Sequence, residues 1–330
     1  MPFLGLRLGN EPELSAADNQ SLAALAEELG YGEVWMTEGS GRDSLTQLTA
    51  MATATKQIGL ATGILPMFSR TPLITAMSAA GLAAVSGDRF ILGLGVGNPP
   101  AVEEGHGVPY KQPLEHLRDM VRIIRGLLQG EEVTHDGKAI KVMGASLGVA
   151  APKSKLPIYV AALRPRMLQL AGEVADGVLL SWTAASYLEQ AIGIVRDAAA
   201  KAGRDPDDVA ISGYVRIAVT DDLAAGQASL QRQIAGYASG AHYRAFFENS
   251  GFSQEMGGVI PAKRHEADPT SAAAISQRMQ HELGVVGTAE ACNARLDELR
   301  QMGLTKPVIA PVPVGDLKTS YERTVRALAP

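Results

Sequence analysis

Residues 157 to 182, PIYVAALRPRMLQLAGEVADGVLLSW, constrain the fold more than any other stretch, because they encode two buried parallel strands and the helix that connects them. Pro157 to Ala161 and Gly177 to Leu180 are short apolar runs rich in Val, Ile and Leu, the pattern of strands covered on both faces. Between them Met167, Leu170, Ala171 and Val174 recur at helical spacing. Such a unit places the turn after its first strand at the carboxyl edge of a parallel sheet, where open α/β folds and β/α barrels both keep their chemistry. That turn is Ala161-Ala162-Leu163-Arg164-Pro165-Arg166. Pro165 suits a first helical position, and free backbone N–H groups at a helix start beside two arginines point to an anion site, with a phosphate-bearing ligand as the first expectation. The alternative is a pair of arginines simply solvated near a helix start.

Strand and helix signals alternate along the whole chain. Phe3 to Leu8 reads as a strand, and a helix from Ser15 carries Leu22, Leu25, Ala26 and Leu29 to a stop at Gly30. Glu33 to Met36 is the second strand, followed by a helix from about Ser44 through Lys56, and Ile58 to Ile64 is the third. Thr71-Pro72 opens a helix running to Ser86, and Phe90 to Leu94 is the fourth strand. A longer connection containing Pro99, Pro100 and Gly105 leads to an amphipathic helix from near Lys111, with Leu114, Leu117, Val121, Ile124 and Leu128 on one face. Glu132 to His135 and Ala139 to Val142 flank Asp136-Gly137 as a small hairpin. Val209 to Val219 and Lys306 to Val312 complete eight strands. With no composition break or flexible linker, the expected fold is one α/β domain, a (β/α)8 TIM barrel over residues 1–330, with its largest insertion between strands seven and eight. That insertion, Thr220 to Thr305, holds Tyr237, Tyr243, Phe246, Phe247, Phe252 and Met256, which either wall the barrel mouth or form the apolar faces of extra helices.

Composition narrows the function classes. A chain of 330 residues at 46% apolar content can bury a barrel-sized core. A net charge of −5 without a basic stripe argues against nucleic acid as a partner. No uninterrupted apolar run approaches a membrane span and the amino terminus lacks a signal pattern, so no membrane association and a cytoplasmic setting are expected. Cys292 is the one cysteine and reads as a structural thiol in a helix surface or seam. The histidines show no HxH or HExxH spacing, so no metal site is expected.

Gly93-Leu-Gly95-Val-Gly97-Asn98 follows a strand, but Pro99-Pro100 come next and no helix starts at once. The glycines therefore read as a steric device, letting a flat ligand lie against the strand end, rather than as a dinucleotide fingerprint. Gly63 permits the same approach at the end of the third strand, and Ser69-Arg70-Thr71-Pro72 supplies a capped helix start with a cation beside it.

In order along the chain, these pieces resemble the luciferase-like flavin and deazaflavin oxidoreductases, and among them the F420-dependent methylenetetrahydromethanopterin reductases. The resemblance is carried by Tyr31-Gly-Glu-Val-Trp35-Met-Thr-Glu38 with Arg42-Asp43, by Thr62-Gly63-Ile64 with Ser69 to Pro72, and by Gly93 to Gly97. Further on it rests on Arg122 to Gly130 with Val133 and Gly137, on Pro157 to Leu180, and on Val286-Gly-Thr-Ala-Glu290 with Gly303. It implies coenzyme F420, or alternatively FMN, at the carboxyl mouth of the barrel, with the ring over the ends of the third and fourth strands. It implies a cis peptide at Gly63-Ile64 and contacts to the ring region from Glu38, Gly63, Ile64, Gly97 and Asn98. It further implies a phosphate loop of Ala161, Ala162, Leu163, Arg164, Pro165 and Arg166, with Ser181 a neighbouring contact.

Three departures bear on mechanism. Glu38-Gly39 stands where many relatives carry an acidic residue followed by histidine, and Arg164 stands where a glycine usually precedes the proline. Asn98 stands where the deazaflavin sugar-phosphate dehydrogenases place a glutamate proton donor, and an amide releases no proton at neutral pH. Glu38 is then the familiar carboxylate left at the mouth, either holding the ring by a hydrogen bond or acting as general acid. The expected activity is hydride transfer between F420 and a small organic substrate, in a homodimer. An FMN-dependent monooxygenase that consumes oxygen is the alternative, and a barrel binding either cofactor without turnover is the third reading. Arg42, Asp43, Arg70, His106 and Tyr110 are candidates to line a substrate pocket.

Overall fold

The computed structural model describes residues 2–9, 11–262 and 269–330, and in it eight parallel strands close into a barrel. They are β1 (Gly5–Leu8), β2 (Glu33–Met36), β3 (Gly59–Thr62), β4 (Phe90–Gly95), β5 (Ile158–Ala161), β6 (Gly177–Ser181), β7 (Ala210–Val219) and β8 (Lys306–Pro311). Neighbours pair in chain order, and β8 closes on β1 with Gly5 opposite Val308. The helices pack outside, and their starts are written in the sequence: Ser15, Asp43, Thr71, Thr288 and Asp316 each cap a helix by accepting a backbone N–H. The (β/α)8 architecture expected from the alternation is the one found.

Strand β3 is shorter than its apolar run, which reaches Ile64. The chain leaves the sheet at Gly63–Ile64, joined by the cis peptide bond that the resemblance implies, and returns as Leu65–Pro66 alongside β4. The helix expected from Lys111 begins at Pro113, where proline can occupy the first turn.

Below the mouth the barrel is filled. Lys306 Nζ lies 2.6 Å from Glu33 Oε1, and the other Glu33 oxygen accepts the Trp35 indole N–H at 2.9 Å. Above this pair Trp35, Ala61, Ile91, Tyr159, Leu179 and Val308 pack together, with Trp35 edge-on to Tyr159 at 5.4 Å. Any ligand must therefore sit at the carboxyl end, above this packed layer.

The insertion after β7 resolves into two roles. Phe246, Phe247, Phe252 and Met256 are buried with Leu230, Ile234 and Met279 in a second apolar core, as faces of extra helices. Tyr237 and Tyr243 are only half-buried and stack at 4.9 Å beside Trp182, which follows β6. A feature absent from the sequence reading is a strand, Gly284–Gly287, that pairs with the second half of β7 from Arg216 to Val219. Strand β6 pairs only with the first half, ending at Ser181 opposite Tyr214. Cys292 is fully buried in the seam that this strand makes with its helix, where burial pushes its thiol up to about 11. No helix among the described residues is long and apolar enough to cross a membrane.

Asp176, between the helix Pro165–Val174 and β6, fastens the β5–β6 unit. It accepts the Ile158 N–H at 2.9 Å and pairs with Lys155 at 2.6 Å and Arg125 at 2.9 Å. Burial alone would raise its pKa, but these three donors outweigh burial and hold it below the usual carboxylate range. Because the folded value lies below the unfolded value of about 3.9, the stabilisation is complete above that pH and is lost as pH falls through the folded value. Asp176→Asn is expected to lower the unfolding free energy at pH 7 by about 1–3 kcal/mol. The difference from the native chain should narrow below about pH 4. Urea titrations at both pH values check this, and equal midpoints at pH 7 would sink the assignment.

Candidate active site

One side of the barrel mouth has almost no side chains. The inward positions at the ends of β3, β4 and β5 are Gly63, Gly93, Gly95 and Ala161, following the alternation of a strand. At Gly63 a Cβ would collide with the Tyr214 hydroxyl and come within 3.2 Å of the Trp35 ring. At Gly95 it would meet the Ile64 side chain at 2.7 Å. The surface is also held rigid: the Thr62 hydroxyl donates to the Gly93 carbonyl and accepts the Gly93 N–H, each at 2.8 Å, and the Tyr214 hydroxyl donates to the Gly63 carbonyl at 2.8 Å. Burial pushes the Tyr214 pKa up, so the hydroxyl keeps the proton that this bond uses. The floor suits a flat ring lying against backbone.

Glu38 sits beside this floor, after β2, and every neighbour within reach donates to it. Oε1 receives Arg70 Nη1 at 2.6 Å, and Oε2 receives the Ser44 N–H at 3.0 Å and the Ser44 hydroxyl at 2.7 Å. Arg70 also binds Asp43, which caps the helix Ser44–Ala54 through Thr46. Glu38, Arg70 and Asp43 thus form one network, while Arg42 turns aside to the Glu11 carbonyl at 3.3 Å. Tyr110 stacks on Phe68 at 5.0 Å, and His106 is exposed. Gly97 adopts a positive φ of 72° where the chain passes Val102 and Pro66, and the Asn98 carbonyl accepts the Val102 N–H at 3.0 Å.

The turn from Ala161 to Arg166 opens the helix Pro165–Val174, with Arg164 at the cap position and no side-chain cap. Pro165 has no N–H and the Met167 N–H donates to the Arg164 carbonyl at 2.9 Å, which leaves the Arg166 N–H as the first-turn donor without an acceptor inside the helix, and Arg164, Pro165 and Arg166 are exposed around it. This is an anion-binding geometry. The Arg164 side chain donates to the His242 carbonyl at 3.1 Å, which ties the turn to the insertion.

The opposite side of the mouth is aromatic and cationic. Arg216, 5% exposed, lies with its guanidinium carbon 3.9 Å from the Trp182 ring centre and 5.4 Å from that of Tyr214. Its hydrogen bonds go to Ser181 Oγ at 3.2 Å and the Tyr214 carbonyl at 3.4 Å. Burial holds its pKa below the usual arginine value, and the charge of Arg7 adds to this while Tyr237 works against it. Arg7 is the reverse case: burial pulls its pKa down, but Glu11, paired at 2.5 Å, together with Tyr321, Tyr237 and Tyr214 outweighs burial and raises it. Sequence reading named Ser181, as a contact beside the turn Ala161 to Arg166, but missed Tyr214, Arg216 and Trp182. The available signal was the alternation in Ser-Gly-Tyr-Val-Arg, which puts Ser212, Tyr214 and Arg216 on the inward face. Among the described residues no group of three or more His, Cys, Asp or Glu is placed to hold a metal ion.

One mouth of this (β/α)8 barrel thus carries a backbone floor, an exposed helix start with two arginines and an aromatic wall. Residues 3–306 match the family described as luciferase-like monooxygenase, and the chain belongs to that family. It is 35% identical over 301 residues to a 5,10-methylenetetrahydromethanopterin reductase of Methanolobus tindarius, the match covering 90% of each chain. The structure of the coenzyme F420-dependent tetrahydromethanopterin reductase from Methanopyrus kandleri superposes with a TM-score of 0.83 at 23% identity, covering 99% of this chain and 98% of that one. A monooxygenase from Streptomyces bottropensis superposes with a TM-score of 0.74 at 21% identity, over 99% and 97% of the two chains. These two structures speak for the fold alone.

The contact between Gly63 and Tyr214 is open to test. Gly63→Ala drives a methyl group into the Tyr214 hydroxyl and is expected to destabilise the protein by about 1–3 kcal/mol. Adding Tyr214→Phe removes the atom that clashes, so the double variant should melt above the single Gly63→Ala variant. Strict additivity of the two melting shifts would mean that the two residues do not meet.

Proposed function

We propose that this chain is an F420-dependent oxidoreductase that moves hydride between the deazaflavin and a small organic substrate. The observation that carries the reading is the backbone floor of Gly63, Gly95 and Ala161, in a chain 35% identical to a methylenetetrahydromethanopterin reductase. F420, when bound, supplies the hydride-carrying ring carbon. The chain supplies position: Gly63, Ile64, Gly97 and Asn98 accept the ring against backbone, and the turn Ala161–Arg166 with Ser181 takes the phosphate. Tyr214 fixes the Gly63 carbonyl from across the barrel. Glu38 holds rather than protonates in this reading, because Arg70 and Ser44 already occupy both its oxygens as donors.

Titration of the ligand-free protein with F420 and, separately, FMN decides between the cofactors. Micromolar or tighter F420 binding with FMN at least about tenfold weaker is expected, and the reverse order would move the reading to an oxygen-consuming FMN enzyme. In the same assay Glu38→Gln should weaken F420 binding. Intact binding with lost turnover would instead make Glu38 the acid.

We further propose that the chain works as a homodimer. The helix Pro72–Ser86 exposes Ile74, Met77 and Val85 at 48, 51 and 52%, with Gly81 on the same stripe. Light scattering on a sizing column should give a dimer that Met77→Glu converts to monomer. A native monomer at micromolar concentration removes the proposal.

A further inference from the structure

Strand β7 carries Arg216 into the mouth one pleat above Tyr214, on the side facing away from the backbone floor. A guanidinium offers five N–H donors in a flat fork. Among the described residues those of Arg216 reach two neutral acceptors and no carboxylate. The nearest strong charge is another cation, Arg7, whose own charge is matched by Glu11. Trp182, stacked on the guanidinium, is 1% exposed and adopts a left-handed φ of 55°; its indole N–H has no hydrogen-bond partner. Ser181 completes the group, meeting both Arg216 and the Tyr243 hydroxyl. Donors and ring faces thus converge on one spot without a counter-charge. Desolvating an ion is costly, and ring faces return only part of that cost.

We infer that Arg216 and Trp182 form an oxyanion pocket for the substrate, next to the Ser181 contact of the cofactor phosphate, so that the molecule oxidised or reduced here carries a carboxylate-like group on a planar apolar body. The fork of Arg216 matches a carboxylate through paired hydrogen bonds, and the rings of Trp182, Tyr237 and Tyr243 match the flat body. Naming the ligand as substrate rests on the F420-dependent reading; the pocket itself does not.

The test is calorimetric titration of the F420-loaded protein with benzoate and with benzamide, which share the ring and differ in charge. Benzoate should bind saturably, benzamide at least about tenfold more weakly, and Arg216→Met should lower benzoate affinity about tenfold or more. F420 affinity of that variant should stay within about twofold of the native protein. Benzoate binding that is absent, or equal in Arg216→Met, would make Arg216 a structural bridge between ring faces and overturn the inference. If Arg216→Met weakens F420 but not the phosphate-free deazaflavin riboside, the anion is the cofactor's phosphate, which also overturns it. Should Arg216→Met fail to fold, Trp182→Phe keeps a ring face and removes the indole N–H. It should then lower benzoate affinity several-fold without moving that of F420. A native protein that fails to bind F420 would count against the cofactor reading alone, because benzoate titration of the ligand-free chain still decides the pocket.

Discussion

Room at the barrel mouth is the constraint on which the rest of this structure depends. Eight strands enclose an interior just wide enough for side chains to fill, and below the mouth they do fill it, with Trp35, Tyr159 and the Glu33–Lys306 pair. At the carboxyl end the chain omits side chains on one arc only, at Gly63, Gly93, Gly95 and Ala161. Omission on one arc lets long side chains reach across from the other. Tyr214 on β7 can touch the Gly63 carbonyl on β3 because nothing stands between them.

The half-buried Arg7 and the buried Arg216 show how charge is handled at the mouth. Arg7 and Arg216 sit in the same low-dielectric space and lie close enough to repel. Glu11 pairs with Arg7, and its attraction together with that of the surrounding tyrosines outweighs the burial of that residue. Arg216 has ring faces instead, and a ring quadrupole is a weaker partner than a carboxylate. Burial therefore wins at Arg216 and loses at Arg7. An anion brought to Arg216 would meet a charge with its hydration already removed, so little of the attraction would be spent on displacing water.

Barrel and strand order were legible in the sequence because buried parallel strands are continuous apolar runs and their helices carry a separate period. The Glu38 network was legible only as residue types: Glu38, Asp43 and Arg70 stood out, but the Arg70 bond to both carboxylates depends on where two loops meet. Gly284–Gly287 was hidden because a four-residue strand beside half of another has no period of its own and lies inside a long insertion. Arg216 was read only as part of the seventh strand, Val209 to Val219. Its inward parity with Tyr214 carried the information.

The insertion links these pieces. Its buried phenylalanines anchor it as a second core, and that anchoring places Tyr237 and Tyr243 beside Trp182 at the mouth. Its strand takes over pairing with β7 at Arg216, where β6 has ended, so the backbone of Arg216 stays fixed while its side chain lies over Trp182. The His242 carbonyl, in turn, holds Arg164 at the anion-binding turn. A single segment thereby touches both the turn assigned to phosphate and the wall assigned to substrate. Arg164 thus has a physical role: through the His242 carbonyl it fastens the turn before Pro165 to the segment that shapes the opposite wall.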